Sequence, residues 1–251
     1  MKKSLSIITT LVCFAASNSP AQLNKDSATA TSLVSASYSY QFPGGDLEKR
    51  FFSNSAVGAS FFYKTKSNWL IGADGFFMFR DTVKETTIFD SISTSDGAII
   101  DGNGLYADIH LYERGFYIGA KGGKLFPVFG SNKNSGIVIL GGMGLLQHKI
   151  RIENSDNAAY QIKGDYKKGY DRLTNGLALS EFVGYMYFGK SRLVSFFAGF
   201  EFTQAWTQNR RSYNFDTMGP DKTNRLDLLY GFKIGWIIPL HKRSPDKYYY
   251  Y

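Results

Sequence analysis

Three histidines are the side chains in this sequence best suited to acid–base chemistry near neutral pH. They are His110, His148 and His241. His148 lies near the end of one predicted strand, and Ser180 and Glu181 lie early in the next, so a Ser–His–Glu nucleophilic triad can be drawn. No nucleophile-to-base motif supports such a triad, and no histidine pair has the spacing of metal ligands. We therefore expect no enzyme activity, no metal and no cofactor.

Four charged side chains of the predicted strands are expected to point inward: Asp74, Lys121, Glu201 and Lys233. Each is expected on the polar, inward face of its strand, because side chains alternate between the two faces. Two acids and two bases suit mutual pairing, since an unpaired buried charge is costly. We predict a structural salt-bridge network that fills a narrow lumen, with Glu201 and Lys233 close together; the alternative is an ion or proton pathway.

The remaining chemistry-bearing residues lie in predicted loops. The segment 81–113 is acidic, but 101–105 lacks the ligand spacing of a calcium loop, which predicts a turn in a solvated loop. The segment 164–172 is dense in tyrosine and charge, a composition that suits a binding surface and equally a loop near lipopolysaccharide headgroups. Its candidate binding residues are Tyr166, Lys167, Lys168, Tyr170 and Arg172.

The elements that position these residues follow an expected export signal. Lys2 and Lys3 precede a mainly apolar run over 5–16, and small residues around 19–21 offer a cleavage site. This is the pattern of a secretory signal peptide, so residues 1–21 are expected to be removed. The alternative is an N-terminal membrane anchor, for which the run is short of the ~20 residues a spanning helix needs.

Composition narrows the class of fold. The 251 residues include 17 Tyr, 21 Phe and 26 Gly, the mean hydropathy is −0.22, and no later run approaches a transmembrane helix. An exported chain of this kind is typical of an outer-membrane barrel, whose alternating faces dilute the hydropathy signal. The single cysteine, Cys13, lies in the signal, so no disulfide or thiolate metal site is expected. The charge of +8 is modest, and we expect no nucleic-acid partner.

Period-two alternation predicts eight strands in which aromatics dominate one face and small, polar or charged residues the other. They cover 34–42, 57–64, 69–80, 115–128, 137–150, 177–188, 193–206 and 230–240. The facing of the fifth strand is left open because both its faces are apolar. That of the sixth is left open because Glu181 interrupts an otherwise apolar face. The segment 106–113 allows a further strand and a ten-stranded alternative. Eight is preferred, because ten would need a second, unassigned strand to keep the number even.

The predicted connections alternate in length, which is typical of outer-membrane barrels with short periplasmic turns and long extracellular loops. The short ones lie near 65–68, 129–135 and 189–192, and the long ones near 43–56, 81–114, 151–176 and 207–226. Closure is expected because an open sheet edge cannot face lipid. The expected order is a periplasmic N-terminal segment over 22–32, a barrel over 33–240 and a periplasmic Tyr-rich tail over 241–251.

Basic and aromatic residues cluster near the predicted periplasmic turns. Tyr63, Trp69 and Tyr187 are expected in an interfacial aromatic girdle. The basic residues are expected to contact anionic lipid headgroups, with a periplasmic protein as the alternative partner. They are Lys64, Lys66, Lys133, Lys190, Arg192, Lys242 and Arg243.

Over about 33–240 the chain resembles the small OmpA/OmpX-like outer-membrane barrels. The most specific match is 233–240, which fits the last-strand assembly signal of that family: a polar residue, a glycine and spaced apolar residues. The matching positions are Lys233, Gly235, Trp236, Ile238 and Leu240. The resemblance implies recognition by the barrel-assembly machinery. The family usually ends within this strand, whereas here 241–251 follow.

The resemblance and the pattern together predict a non-enzymatic integral outer-membrane barrel. Its lumen is expected to be plugged, since eight strands enclose only their own side chains. Its extracellular loops are expected to bind a ligand or to shield the cell surface. Lipids and lipopolysaccharide are its expected surroundings. One alternative is an accessory subunit of an envelope assembly or secretion complex, docking through the barrel wall, the loops or the tail. The other is a lipid-modifying barrel enzyme.

Overall fold

The computed structural model describes residues 28–128, 132–189 and 194–240. Within them the eight predicted strands are confirmed, and they close into one antiparallel barrel in sequence order. The strands are β1 (Thr31–Gly45), β2 (Asn54–Lys64), β3 (Trp69–Arg80), β4 (Ile109–Phe126), β5 (Gly136–Asn154), β6 (Thr174–Phe188), β7 (Ser195–Asn209) and β8 (Asn224–Leu240). The predicted signal peptide (1–21) and Tyr-rich tail (241–251) lie outside the described residues.

The barrel closes through the pairing of β1 with β8, where Ser32 lies opposite Leu240. A path around the wall can be traced from Val34 by stepping from each residue to the one directly opposite it on the next strand. This path returns to β1 at Gly44, ten positions further along the strand. This stagger means that the strands are tilted relative to the barrel axis, as closure requires.

The ten-stranded alternative is wrong, because the segment proposed as an extra strand is the first part of β4. β4 begins at Ile109 and pairs with β5 up to Asn154, beyond the predicted ends of both strands. The outward side chains of this extension include His110 and Arg151, which are exposed. The hydrogen-bonded ladder therefore continues where the apolar alternation has stopped.

The two strands of open facing are settled by burial. On β5, Leu140 points into the barrel and Ile139 points out. On β6, Phe182 points in, while Glu181 lies on the exposed outward face. Glutamate thus interrupts the outer, apolar face of β6.

The two ends of the barrel differ in their connections. At the short-turn end lie 65–68, 127–135 and 189–194, and at the long-loop end lie 46–53, 81–108, 155–173 and 210–223. The long loops contain short 3-10 helices and pack on one another; Ile88 and Phe89 are buried. The predicted turn after Asp101 is present and exposed, and apart from a few buried apolar side chains most of 81–108 is exposed or half-buried. Within the described residues, no helix is long and apolar enough to cross a membrane.

Inside the barrel the apolar side chains form two clusters. The lower cluster lies toward the short-turn end and includes Leu33, Phe62 and Phe197. The upper cluster begins in the barrel at Phe76 and Tyr117 and continues into the long loops. We call the packed part of the four long connections the loop cap.

Candidate functional site

The structure brings the four predicted lumen charges together. Lys121 Nζ donates hydrogen bonds to Asp74 Oδ2 (3.0 Å) and Glu201 Oε1 (2.7 Å). Lys233 Nζ donates to the same two oxygens, at 3.0 and 2.9 Å. All four side chains are at most 8% exposed. We call this closed set of four ion pairs the charged ring.

The charged ring crosses the lumen. Asp74 and Lys121 come from β3 and β4, and Glu201 and Lys233 come from β7 and β8. In a barrel of eight strands these two pairs lie on opposite walls, so the Lys121–Glu201 and Lys233–Asp74 contacts span the interior.

Apolar groups lie on both sides of the charged ring. Lys121 Nζ lies 5.5 Å from the centre of the Tyr117 ring, in the upper cluster. On the lower side a cavity of about 30 Å³ separates the charged ring from Phe62, Phe197 and their neighbours. Asp74 Oδ1 and Glu201 Oε2 have no hydrogen-bond partner among the described residues. Asp74 and Glu201 line this cavity, whose volume is sufficient for water.

A second buried polar group lies near the long-loop end of the lumen. His148 Nε2 is 2.9 Å from Asp227 Oδ2, which also accepts a hydrogen bond from the Thr207 hydroxyl. The ring of Phe51 covers His148 edge-on at 5.5 Å. Sequence reasoning missed the role of Asp227, although a lone acid between Leu226 and Leu228 was a usable signal.

The triad drawn from the sequence is not assembled. His148 lies opposite Thr174 on β6, six residues from Ser180, which corresponds to roughly 20 Å along the strand. Ser180 is buried and accepts a hydrogen bond from Thr203, and Glu181 points out of the barrel. The structure therefore does not bring His148, Ser180 and Glu181 together.

Ion pairs tie the loop cap together. Arg172 Nε donates to Glu85 Oε1 at 3.1 Å, and Arg172 is also paired with Asp216. Arg50 Nε lies 3.3 Å from Glu85 Oε2. These four residues come from four different long connections, so the network links every loop of the cap.

Two charged residues of the cap have shifted pKa values. Burial lowers the pKa of the Arg50 guanidinium from its ordinary value, and the carboxylate of Glu85 opposes that change. Burial alone would raise the pKa of Asp221, but hydrogen bonds from Arg225 and Thr223 bring it below its ordinary value. An arginine stays protonated in any such setting.

The predicted loop binding surface is only partly a surface. Tyr166, Lys167 and Lys168 are on the outside of the cap, and Tyr166 is 62% exposed. Tyr170 and Arg172 are buried, so their assignment to the surface is wrong. Tyr170 packs between the rings of Phe89 and Phe215, with centroids 5.3 and 5.4 Å away. The apolar neighbours come from distant loops, which composition alone does not reveal.

The residues of the predicted assembly signal lie in β8. Lys233 belongs to the charged ring, while Trp236 and Leu240 are exposed on the outer wall. Gly235 points inward, where a Cβ atom would lie 2.3 Å from the ring of Phe197. The packing of Phe197 thus gives a local reason for glycine there, and recognition of this strand by assembly machinery stays a prediction.

One basic residue near the short turns is not at the surface. Lys64 is buried, and its Nζ donates to Thr29 O (3.1 Å) and Asn134 Oδ1 (2.9 Å). The prediction that Lys64 contacts headgroups is wrong, whereas Lys66 and Lys133 are exposed. Lys190, Arg192, Lys242 and Arg243 lie outside the described residues. Among the described residues, no three His, Cys, Asp or Glu side chains are grouped to hold a metal ion.

The closed ladder defines an eight-stranded antiparallel barrel, and this confirms the fold class that the resemblance implied. No family model and no curated protein matches the sequence.

Similar solved structures are outer-membrane and surface proteins. Ail, the attachment invasion locus protein of Yersinia pestis, is 10% identical, with 83% of this chain and 99% of that chain covered and a TM-score of 0.44. Neisserial surface protein A is 14% identical, with coverages of 82% and 96% and a TM-score of 0.43. The outer membrane protein OprG from Pseudomonas aeruginosa is 14% identical, with coverages of 85% and 99% and a TM-score of 0.41.

Proposed function

We propose that this chain is a non-enzymatic integral outer-membrane barrel whose lumen is plugged and whose loop cap presents a binding surface outside the cell. The observation that carries the proposal is the combination of an apolar outer wall, a filled interior and a cap with exposed tyrosine and lysine. Each part has its own physical support.

Membrane insertion is supported by the outer wall. Ile71, Ile118 and Phe232 are each more than 60% exposed, although such side chains seldom form large patches on soluble proteins. Aromatics lie at both rims of this wall, as at the two interfaces of membrane barrels. At the short-turn end they include Tyr63, Trp69, Tyr187 and Trp236, and at the other rim Tyr40, Trp206 and Tyr230.

A plugged lumen is supported by the charged ring and the two apolar clusters. Side chains from opposite walls meet in the middle, and Phe and Leu side chains fill the space below. A buried network of this kind, in which each charged group has two partners of opposite charge, offers no open path for a solute. It argues for a structural role of the four charges over an ion pathway.

A binding role is supported by the outer surface of the loop cap. Tyr166 and Lys168 are exposed there and Lys167 is half-exposed. Tyr166 and the exposed Tyr213 both lie beside the ring of Phe215, at 6.3 and 6.0 Å between centroids. Tyrosine and lysine suit the phosphates and sugars of lipopolysaccharide, since lysine contributes about 1 kcal/mol per contact at an anionic membrane surface. The buried histidine does not argue for catalysis, because Phe51 and the cap cover it.

The placement is tested with single cysteines, since Cys13 of the signal is the chain's only cysteine. We expect Tyr166→Cys to react with a membrane-impermeant maleimide on intact cells. Ser67→Cys, in an exposed short turn, should react only after the outer membrane is opened. Equal labelling of both variants on intact cells, or a protein that stays in the aqueous fraction without detergent, contradicts the proposal.

The binding role is tested with purified lipopolysaccharide. The double variant Lys167→Glu/Lys168→Glu should bind it roughly tenfold more weakly, because two favourable charge contacts are reversed. Lys66→Glu, at the short-turn end, is the matched control and should bind as the wild type does. Unchanged binding by the double variant would remove the cap surface from the proposal.

A further inference from the structure

The outer wall carries a carboxylate where membrane barrels are apolar. Glu181 is the central residue of β6, seven residues from either end, and its exposed side chain lies between those of Leu179 and Val183 on the outward face. Seven residues span roughly 23 Å along a strand. In a tilted strand this places Glu181 near the middle of an apolar band about 25 Å tall.

This carboxylate has no partner within the described part of the chain. Glu181 forms no ion pair or hydrogen bond there. The residues directly beside it across the wall, Gly141 and Phe202, are uncharged. Ionisable residues at membrane depth are costly and are generally paired or face a cavity. The missing partner is therefore expected outside this chain.

The wall around Glu181 is shaped for close approach by another chain. Gly141 lies opposite Glu181, and Gly122 lies opposite Gly141. A Cβ atom at Gly141 would meet nothing within 4 Å, so the surface is open and shallow there. On the other side, β7 presents the half-buried amide of Gln204 on the same outward face. Small residues let membrane-embedded backbones pack closely, and polar groups bond across such contacts.

We propose that this surface, formed by Gly122, Gly141, Glu181 and Gln204, docks a membrane-embedded segment of a different protein that presents a lysine or arginine to Glu181. The inference rests on the proposed function, since it requires the barrel to span the membrane.

A second copy of this chain does not supply the cation. Copies related by a twofold axis along the membrane normal meet at equal heights, so Glu181 would face the middle of the partner's wall. The outward basic residues of the described chain lie nearer the rims. Lys124, for example, lies near the short-turn end, over the rings of Trp69 and Phe126 at 5.4 and 5.8 Å. Charge complementarity therefore favours a different protein.

The experiment compares the native mass of assemblies extracted in lipid nanodiscs from cells that express the full chain. The wild type is expected in a complex with a second membrane protein. Glu181→Lys should lower recovery of that protein at least about tenfold, as repulsion between like charges at an interface predicts. Replacing the partner's facing lysine or arginine by glutamate should restore the complex with Glu181→Lys.

Two variants separate docking from folding. Ala59 is the central residue of β2, four strands away on the opposite wall, and is also exposed. Ala59→Lys places a cation at the same depth and should leave the complex intact. Glu181→Leu should fold at least as well as the wild type, because a lipid-facing charge is removed, and should still lose the complex.

Three results would overturn the inference. They are a wild-type barrel recovered alone, a complex that Glu181→Lys leaves intact, and an assembly that contains only copies of this chain. Each differs from failure of the proposed function, in which the chain would be recovered without detergent.

Discussion

The barrel holds two networks of buried charge, and they are supported in different ways. The charged ring links β3, β4, β7 and β8, whose backbones are already fixed by a closed ladder. The loop cap links Arg50, Glu85, Arg172 and Asp216, which come from connections without a ladder. The ring side chains are 1–8% exposed and those of the cap 8–18%.

The difference shows what each network requires. In the ring, only side chains lose freedom when the ion pairs form. In the cap, the backbone must be ordered as well, at roughly 1–2 kcal/mol per residue. Apolar burial has to offset that cost, and the upper cluster extends into the loops through Ile88, Phe89 and Tyr170. In the barrel, the ion pairs therefore form between strands that the hydrogen-bonded ladder already holds in place. In the cap, the ion pairs act together with a hydrophobic core.

The largest effect is expected from unbalancing the ring. Lys121→Met leaves Asp74 and Glu201 with a single cation, and removing one partner from a buried pair costs about 3–5 kcal/mol. The double variant Lys121→Met/Glu201→Gln leaves the Asp74–Lys233 pair and should recover most of that loss. The free energy of unfolding in lipid vesicles, measured with urea by tryptophan fluorescence, checks both.

Ala120→Met is the matched control for the ring. Ala120 precedes Lys121 and points outward, so the same new side chain should change stability by less than about 0.5 kcal/mol. If Lys121→Met costs no more than this control, the ring does not stabilise the barrel and the contrast with the cap disappears.

A smaller and more local effect is expected from the cap. Tyr170→Ala removes the ring between Phe89 and Phe215 and should destabilise the cap by about 2–3 kcal/mol, the lower range for core truncations. Limited proteolysis should then cut the long loops faster, while the urea midpoint of the barrel stays unchanged. The exposed Tyr166→Ala serves as the control and should leave both readouts near wild type.

Equal shifts of loop cleavage and barrel unfolding in Tyr170→Ala would show that cap and barrel form one cooperative unit. The distinction between the two regions would then hold for their structure but not for their stability.

The charged ring could be predicted because strand periodicity fixes which way a side chain points. Once 69–80 and 230–240 are recognised as strands, Asp74 and Lys233 must face inward, and a narrow barrel brings them within reach. The same rule left β5 undecided, since Ile139 and Leu140 are equally apolar and only the closed ladder shows which is inside.

The cap could not be predicted in the same way, since loops have no period that fixes a facing. Arg172 meets Glu85 across 87 residues of sequence, and Tyr170 meets Phe215 across another loop. Composition placed both Tyr170 and Arg172 at a surface because tyrosine and arginine favour interfaces, whereas here they bind the loops to one another. The sequence shows that Glu181 interrupts an apolar face of its strand. Only the full length of β6 shows that Glu181 lies at the centre of that strand.

The smallest predicted effect concerns the pH dependence of one further ion pair in the loop cap. Asp221 pairs with Arg225, and its pKa lies below the ordinary value. Because the folded pKa is lower than the unfolded one of about 3.9, this stabilisation is present above about pH 4 and is lost as pH falls through the folded pKa. It should amount to about 0.2–1 kcal/mol, as for other solvent-accessible pairs.

Hydrogen exchange of 210–223 should therefore quicken between pH 5 and pH 3, after correction for intrinsic rates. Asp221→Asn should exchange faster at pH 5 and lose part of this pH dependence. If Asp221→Asn follows the wild-type profile throughout, the Asp221–Arg225 pair does not stabilise the loop 210–223.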